Sequence, residues 1–322
     1  MGNLLVLDIG GTFIKYGVAD EGGELLPGSV GQTPSHAEDR AEAFMDALRN
    51  ILRQAAAFGP LKRASACIAG PFDFDGGVSL MRHKFQALYG VCLRPPFEEA
   101  GLPVTFLHDS TAFMLGEYHF GSLAGAKNAC CVMLGTGLGF AWEKEGRVCV
   151  DESQSPALAL WKSLYLDGIA EDYVSTRAIQ QRYGKKAPVK EIAEEARKGN
   201  IKAMEAFSSA GLHLSAILRA VIKKLGCERF ALGGQIAKSA DLLDLCLPIP
   251  WAVTQRPDDA ALLGAAKYAA LGKEKCVQVT SLCINDINAL ESDRQGTDPN
   301  AALGKEKRSG PKPSVPNILP GK

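Results

Sequence analysis

Residues Leu4 to Gly17, LLVLDIGGTFIKYG, set a carboxylate, two adjacent glycines, a threonine and a lysine among apolar residues. The apolar run Leu4–Leu7 stops at Asp8, the chain turns through Gly10 and Gly11, and Phe13–Val18 resumes a strand-like pattern. Glycines at such a turn permit left-handed backbone angles and leave no side chain in a ligand's way. The N–H groups of the turn then form a concavity suited to an anion. A carboxylate at the strand end suits a hydrated Mg²⁺, with Thr12 and Lys15 within reach of phosphate oxygens. An ordinary glycine hairpin with an exposed Asp accounts for the same residues, and a short motif alone does not choose between the two.

Cys130 to Gly139, CCVMLGTGLG, repeats the design: an apolar strand, a turn at Gly135, Thr136 and Gly137, and a second strand over Phe140–Trp142. Neither turn runs into a helical pattern, which argues against a Rossmann fingerprint and a Walker A loop, both of which need strand, glycine loop, helix. Two strand–turn–strand loops suggest two related half-domains facing one nucleotide. Further segments occur in a recognisable order. DIGGTFIK, CIAGPFD, HDSTAFMLGEYHFGS, LGTGLG, ALGGQIA and ALLGAAKYAA together span about Leu4 to Leu271. In these the chain resembles the ROK family of sugar kinases and repressors, within the actin-like ATPase superfamily.

The resemblance implies an α/β, two-domain actin-like ATPase (ribonuclease H-like) fold with an interdomain nucleotide cleft. Residues 1–112 would form the first domain and 113–271 the second, the helix at 258–271 packing back on the first. It implies ATP and Mg²⁺, and a small-molecule sugar, a hexose or N-acylated hexosamine, as phosphoryl acceptor. Asp8 would hold Mg²⁺ through water. Gly10, Gly11, Thr12, Lys15, Gly135, Thr136 and Gly137 would cradle phosphates, with Gly233 and Gly234 beside the nucleoside. Asp109 matches the family's general base, a carboxylate able to take the proton of an attacking hydroxyl; its position alone favours a helix cap, and the resemblance reverses that. Gly70 and Pro71 match the sugar-side loop. His108 stands where the family usually has Asn, which alters how the sugar is held without removing the base. The family's Gly-Glu-x-Gly-His segment and Cys-rich zinc loop have no match in Val150–Asp167, VDESQSPALALWKSLYLD, so no zinc is expected. Glu152 is the nearest candidate for the sugar-binding Glu, a surface turn being the competing reading. The degraded segment keeps a second possibility open: a non-catalytic, sugar-sensing ROK protein without a DNA-binding domain, since the chain starts directly at the first strand.

The elements that must position these residues can be read from pattern. Leu25–Gln32 reads as a third strand, and Ser35-His36-Ala37-Glu38 as a capping box opening a helix with Phe44, Leu48, Ile51, Leu52 and Ala55 on one face. Ala64–Ala69 reads as a buried strand, and Val104–His108 as a strand delivering His108 and Asp109 to a helix that runs from Ser110 to Phe120. Helices are expected over Ile192–Lys198, Ala203–Leu225 and Asp258–Leu271, and a strand over Phe230–Leu232. His83 and Lys84 fall in a loop with polar sugar contacts or plain solvation as alternatives. From Gly272 on a disordered tail is expected, rich in Pro, Gly, Lys and Ser from Gly296, with Gln278–Ile287 as a stray strand.

A chain of 322 residues suits two domains, and 36 basic against 36 acidic residues give no bulk attraction to nucleic acid or an anionic membrane. Nine cysteines lie scattered without a C-x-x-C pair, which fits reduced thiols and a cytoplasmic location. No cleavable leader or membrane-spanning stretch is expected. A homodimer remains open.

Overall fold

The computed structural model describes residues 2–82 and 85–282. His83, Lys84 and the expected tail from residue 283 onward lie outside the described residues. The chain opens with β1 (Asn3–Ile9), β2 (Phe13–Ala19), β3 (Gly31–Pro34), α1 (Ala41–Ala55) and β4 (Leu61–Ile68). A short hairpin of β5 (Phe72–Asp73) and β6 (Val78–Ser79) precedes α2 (Pro95–Glu99), β7 (Val104–His108) and α3 (Asp109–Phe120). Next come β8 (Asn128–Leu134), β9 (Leu138–Lys144), β10 (Arg147–Val150), β11 (Leu164–Tyr165) and β12 (Gly168–Ile169). Helices α4 (Ala170–Val174), α5 (Thr176–Tyr183), α6 (Val189–Arg197) and α7 (Ile201–Leu225) lead to β13 (Arg229–Gly233) and β14 (Trp251–Val253). The described chain closes with α8 (Ala260–Leu271), α9 (Lys273–Cys276) and β15 (Val277–Val279).

A five-stranded sheet runs in the order β3-β2-β1-β4-β7, antiparallel through the first three strands and parallel from β1 to β7. A six-stranded sheet runs β14-β13-β8-β9-β10-β15. By contacts the chain divides into one unit of Met1–Cys131, Gly139–Ala159 and Thr254–Leu282, and another whose described parts are Val132–Leu138 and Leu160–Val253. This grouping differs from a division at residue 112. Helix α8 lies against β1, β4 and α3, so α3 belongs with the N-terminal sheet.

Several sequence expectations shift for local reasons. The third strand is Gly31–Pro34 rather than Leu25–Gln32: Leu25 makes a single bridge to Ala19, Gly28 turns the chain at a φ of 73°, and the Ser29 hydroxyl bonds the Val18 and Leu26 carbonyls. Helix α1 begins at Ala41, not at the expected capping box. Ser35 uses its hydroxyl on Gly11 O, and His36 takes a left-handed φ of 54°. Its buried face contains all five expected residues, with Ala47 added. The chain beyond Gly272 is structured further than expected: Cys276 is buried, and β15 pairs parallel with β10.

Helices α3 and α8 touch through backbone. A Cβ on Gly264 would sit 1.7 Å from Ala112 O, and one on Gly116 would sit 2.0 Å from Ala260 O. Glycine at both points lets the two axes approach to carbonyl contact, which fixes where α3, and hence Asp109 at its first position, meets the sheet. Gly264→Ala is therefore expected to lower Tm. Overpacking of about 1–3 kcal/mol opposes a helix-propensity gain of about 1 kcal/mol, and a 1.7 Å approach to a backbone atom cannot be relieved by a side-chain rotation. An unchanged or raised Tm in a thermal melt would contradict this close crossing.

Candidate active site

The parallel strands β1, β4 and β7 end on one edge of the sheet. Ile9 pairs with Ile68, and Ile68 with His108, so the three chain exits are level. The Gly10–Gly11 turn, the Gly70–Pro71 loop and Asp109 therefore leave the sheet side by side, at the carboxyl ends of parallel strands where open α/β sheets bind ligands. Asp8 faces Lys15 across the β1–β2 hairpin and Cys67 on β4. The Cys67 thiol donates to Asp8 Oδ1 at 3.6 Å. Lys15, expected to reach phosphate, here donates to Asp258 O at 3.3 Å and Oδ1 at 3.5 Å. The glycines serve space rather than unusual angles, since neither Gly10 nor Gly11 has a left-handed φ. A Cβ on Gly10 would lie 2.9 Å from Phe13 O, and one on Gly11 would meet nothing within 4 Å.

Asp109 has close partners on its own stretch of chain. His108 Nδ1 lies 2.8 Å from Asp109 Oδ1. The Ser110 N–H donates to the same oxygen at 2.6 Å and its hydroxyl at 3.2 Å. The same Nδ1 accepts from the Ser110 N–H at 3.2 Å, so the imidazole, the carboxylate and the first amide of α3 meet at one point. Burial acts to raise the Asp109 carboxyl, but the charge and hydrogen bond of His108, with the two bonds from Ser110, outweigh it and hold the group below the ordinary carboxylate range. Its side chain is 44 % exposed, so these contacts rather than desolvation decide the direction. The first turn of α3 adds the favourable end of a helix dipole.

Asp8 behaves in the opposite way. Burial, and then the neighbouring Asp109 charge, push its carboxyl up to about 6 against the pull of Lys15 and the Cys67 hydrogen bond. Burial, with the two carboxylates, pushes the Cys67 thiol well above its usual range. With a value of about 6, Asp8 is mostly ionised at pH 7 beside an ionised Asp109, so two like charges face each other there. A carboxyl raised by burial and a second carboxylate gains from a nearby cation. Mg²⁺ is commonly held by one or two carboxylates with water and substrate phosphates in its other positions, and Asp8 fits that donor set. Among the described residues no group of three or more His, Cys, Asp or Glu side chains gathers as a metal site.

Beside Asp109, a Cβ on Gly70 would lie 3.4 Å from His108 Cδ2 and Nε2 and 3.8 Å from Ser155 Oγ. Ser155 carried no signal in the sequence; it arrives through the turn that Asp151 closes by accepting from Ser153 N at 2.9 Å and Ser155 N at 3.0 Å. Glu152 is exposed on that turn and makes no hydrogen bond among the described residues. The Pro71 carbonyl accepts from Leu80 N at 3.1 Å.

In the second unit Gly135, Thr136 and Gly137 connect β8 to β9, with Thr136 exposed. Glu171, at the start of α4, accepts from Leu138 N at 2.9 Å and was not singled out from the sequence. β13 ends at Gly233, and Gly234 comes next with a φ of 86°. A Cβ there would lie 2.2 Å from Leu134 O, so close approach to the end of β8 by itself requires glycine.

These strand orders and paired glycine turns define the actin-like ATPase fold, which the solved structures also show. A ROK family glucokinase from Streptomyces griseus, in complex with glucose and AMPPNP, superposes with a TM-score of 0.68 at 23% identity over 84% of this chain and 100% of its own. A ROK family transcriptional regulator, a homologue of the E. coli MLC protein, gives 0.70 at 20% identity over 84% and 79%. The ROK family model matches residues 4–150 and 167–267, and the chain belongs to the ROK family. The glucokinase of Streptomyces coelicolor is 31% identical over 150 residues, 43% of this chain and 43% of that protein. The match thus spans less than half the length of this curated relative.

The raised Asp8 group has a measurable consequence. Its folded value of about 6 lies above the unfolded value of about 3.9. Between them the folded state holds a proton that the unfolded state has lost, so stability from this group falls as pH rises from 4 through 6. Asp8→Asn removes the penalty. Melts across this range are expected to show the variant gaining on the wild type as pH rises and remaining the more stable at pH 7. A flat difference, or a more stable wild type at pH 7, would contradict the assignment.

Proposed function

We propose that this protein is an ATP-dependent sugar kinase that transfers the γ-phosphate of ATP to a hydroxyl of a hexose or N-acylated hexosamine. The observation that carries the reading is the level exit of β1, β4 and β7, which sets an ionised Asp109, a cation-seeking Asp8 and a glycine turn on one edge. The glucokinase named for a relative, and the glucose and AMPPNP in a solved neighbour, support the same class.

Mg²⁺·ATP, when bound, supplies the phosphoryl group and neutralises charge on it. Asp8 would hold the metal, and the amides of the Gly10–Thr12 and Gly135–Gly137 turns would receive phosphate oxygens. Lys15 would leave Asp258 to join them, and Gly233 and Gly234 would flank the nucleoside. Asp109 accepts the proton of the attacking hydroxyl, while Gly70, Pro71 and His108 orient the sugar. A carboxylate held below the ordinary range is a weak base, but phosphoryl transfer with a loose transition state needs little proton removal early on. His108 and Ser110 then serve orientation and constant ionisation. The free cysteines among the described residues accord with a reducing cytoplasm.

One observation favours a different reading. Glu152 stands on an exposed turn, away from hydrogen-bonding partners, in a span without the family's sugar-binding Glu and His. A sugar sensor without turnover would tolerate that loss.

Asp109→Asn separates the two. It keeps size and hydrogen-bonding capacity but cannot accept the proton. Turnover of the best acceptor sugar is expected to fall by about 10²–10⁴. Tm should shift little, because the lost first-turn charge, worth about 0.3–1 kcal/mol, and the lost attraction to His108 are opposed by relief of Asp8 from the neighbouring charge. An unchanged rate with an unchanged melt would refute the base. A wild type that binds sugar without turning it over would favour the sensor.

A further inference from the structure

Gly70 leaves a space in the loop after β4, and two side chains border it: His108 through Cδ2 and Nε2, and Ser155 through Oγ. Ser155 comes to that point on the turn that follows β10, and most of its polar capacity is already engaged. Its N–H donates to Asp151 Oδ1 at 3.0 Å, and its carbonyl accepts from Asp151 N at 2.8 Å. Its Oγ accepts from Ser153 Oγ at 3.1 Å. The hydroxyl proton of Ser155 donates to no group among the described residues. A serine hydroxyl has one proton and two lone pairs, so Ser155 retains a proton to donate and one lone pair at the edge of the Gly70 space. Those two capacities match a sugar hydroxyl, which both accepts and donates at a single oxygen.

The turn is held from several directions. Asp151 Oδ1 also accepts from Ser153 N at 2.9 Å and Ser153 Oγ at 2.7 Å. Gln154 takes a left-handed φ of 63°, which a residue other than glycine keeps only where its surroundings hold it. Its side chain bonds to Asp75, in the turn of the β5–β6 hairpin, and Asp75 Oδ1 accepts from Lys273 Nζ at 3.0 Å. That ion pair is largely exposed and contributes little by itself. The stronger attachment is β15, which pairs Val277, Gln278 and Val279 with Val148, Cys149 and Val150. The Thr280 N–H then donates to Val150 O at 2.8 Å, one residue before the turn. The turn and the strand that braces it both lie outside the residues that the ROK family match covers.

We propose that Ser155 is a sugar-contacting residue of this chain, donating its hydroxyl proton to one hydroxyl oxygen of the acceptor beside Gly70 and His108. The inference rests on the sugar-binding part of the reading above, and it holds for a kinase and for a sensor alike. The contact supplies selectivity among sugars. A site that bonds a particular hydroxyl discriminates against the analogue lacking it, because the protein's own group is then left unpaired. The brace means that this hydroxyl is in place before the sugar arrives, so its ordering is not charged to binding.

Calorimetric titration of the full-length protein with glucose, mannose and N-acetylglucosamine finds the sugar that binds best, and the monodeoxy analogues of that sugar locate the contact. Ser155→Ala is expected to weaken the parent sugar about three- to tenfold, as loss of one neutral hydrogen bond does. AMPPNP, titrated separately, is expected to change by less than about twofold, since no phosphate contact is removed. One monodeoxy analogue is expected to bind wild type and Ser155→Ala equally, because the partner of the Ser155 hydroxyl is already absent from it. The remaining analogues should keep the full loss. A serine that served only the shape of the turn would weaken the parent and every analogue alike, and that outcome would overturn the proposal. So would a Ser155→Ala protein that binds the parent sugar as wild type does. A wild type that binds none of the three sugars would bring down the sugar reading and this inference together; a wild type that binds one, with no analogue equalised, would bring down only the inference.

Discussion

The register of three parallel strands is the constraint on which the N-terminal half of the site depends. Because Ile9, Ile68 and His108 are paired across the sheet, the residues immediately after them emerge at one level. A slip of one residue would turn every side chain of a strand to the opposite face. It would separate Asp8 from Asp109 and put apolar core residues at the edge. The packing that prevents such a slip is extensive: Leu5, Val6, Leu7, Ala64, Ala66, Cys67 and Ile68 are essentially inaccessible to solvent. Helix α8 and helix α3, crossing through Gly264 and Gly116, hold the far end of the arrangement, so the placement of a single carboxylate is secured by core residues well removed from it.

Two carboxyl groups brought close by this register cannot share one environment. Asp109 gains its hydrogen bonds from His108 and Ser110, next to it in the chain, and remains ionised. Asp8 is left with burial and a like charge, and its proton affinity rises. Such a destabilised arrangement costs the fold something at neutral pH, and binding a divalent cation would relieve it.

Much of this was legible in the sequence because it is local. Asp8, Gly10, Gly11 and Thr12 announce a strand ending in a polar turn, and the α1 face emerges from helical spacing. The helix that begins at Asp109 lies within one residue of the expected start at Ser110, since a strand running into Ser-Thr-Ala has few alternatives. What remained hidden depends on distant contacts. Ser35 looked like a helix cap, because Ser-x-x-Glu is a capping pattern wherever it occurs; only the fold shows its hydroxyl turned to Gly11 O. Ser155 and Glu171 have no local pattern that marks them. The structured chain extends past Gly272 for the same reason: Val277–Val279, which overlaps the expected stray strand at Gln278 and Val279, pairs along β10.

The most direct test of the account is ADP release by the purified protein with ATP and Mg²⁺ across a panel of aldohexoses and N-acylated hexosamines. The account predicts that at least one sugar raises ADP formation well above the sugar-free rate, that the rise needs Mg²⁺, and that an equal amount of sugar phosphate appears. A folded, nucleotide-binding protein that releases no more ADP with any of these sugars than without them would contradict it.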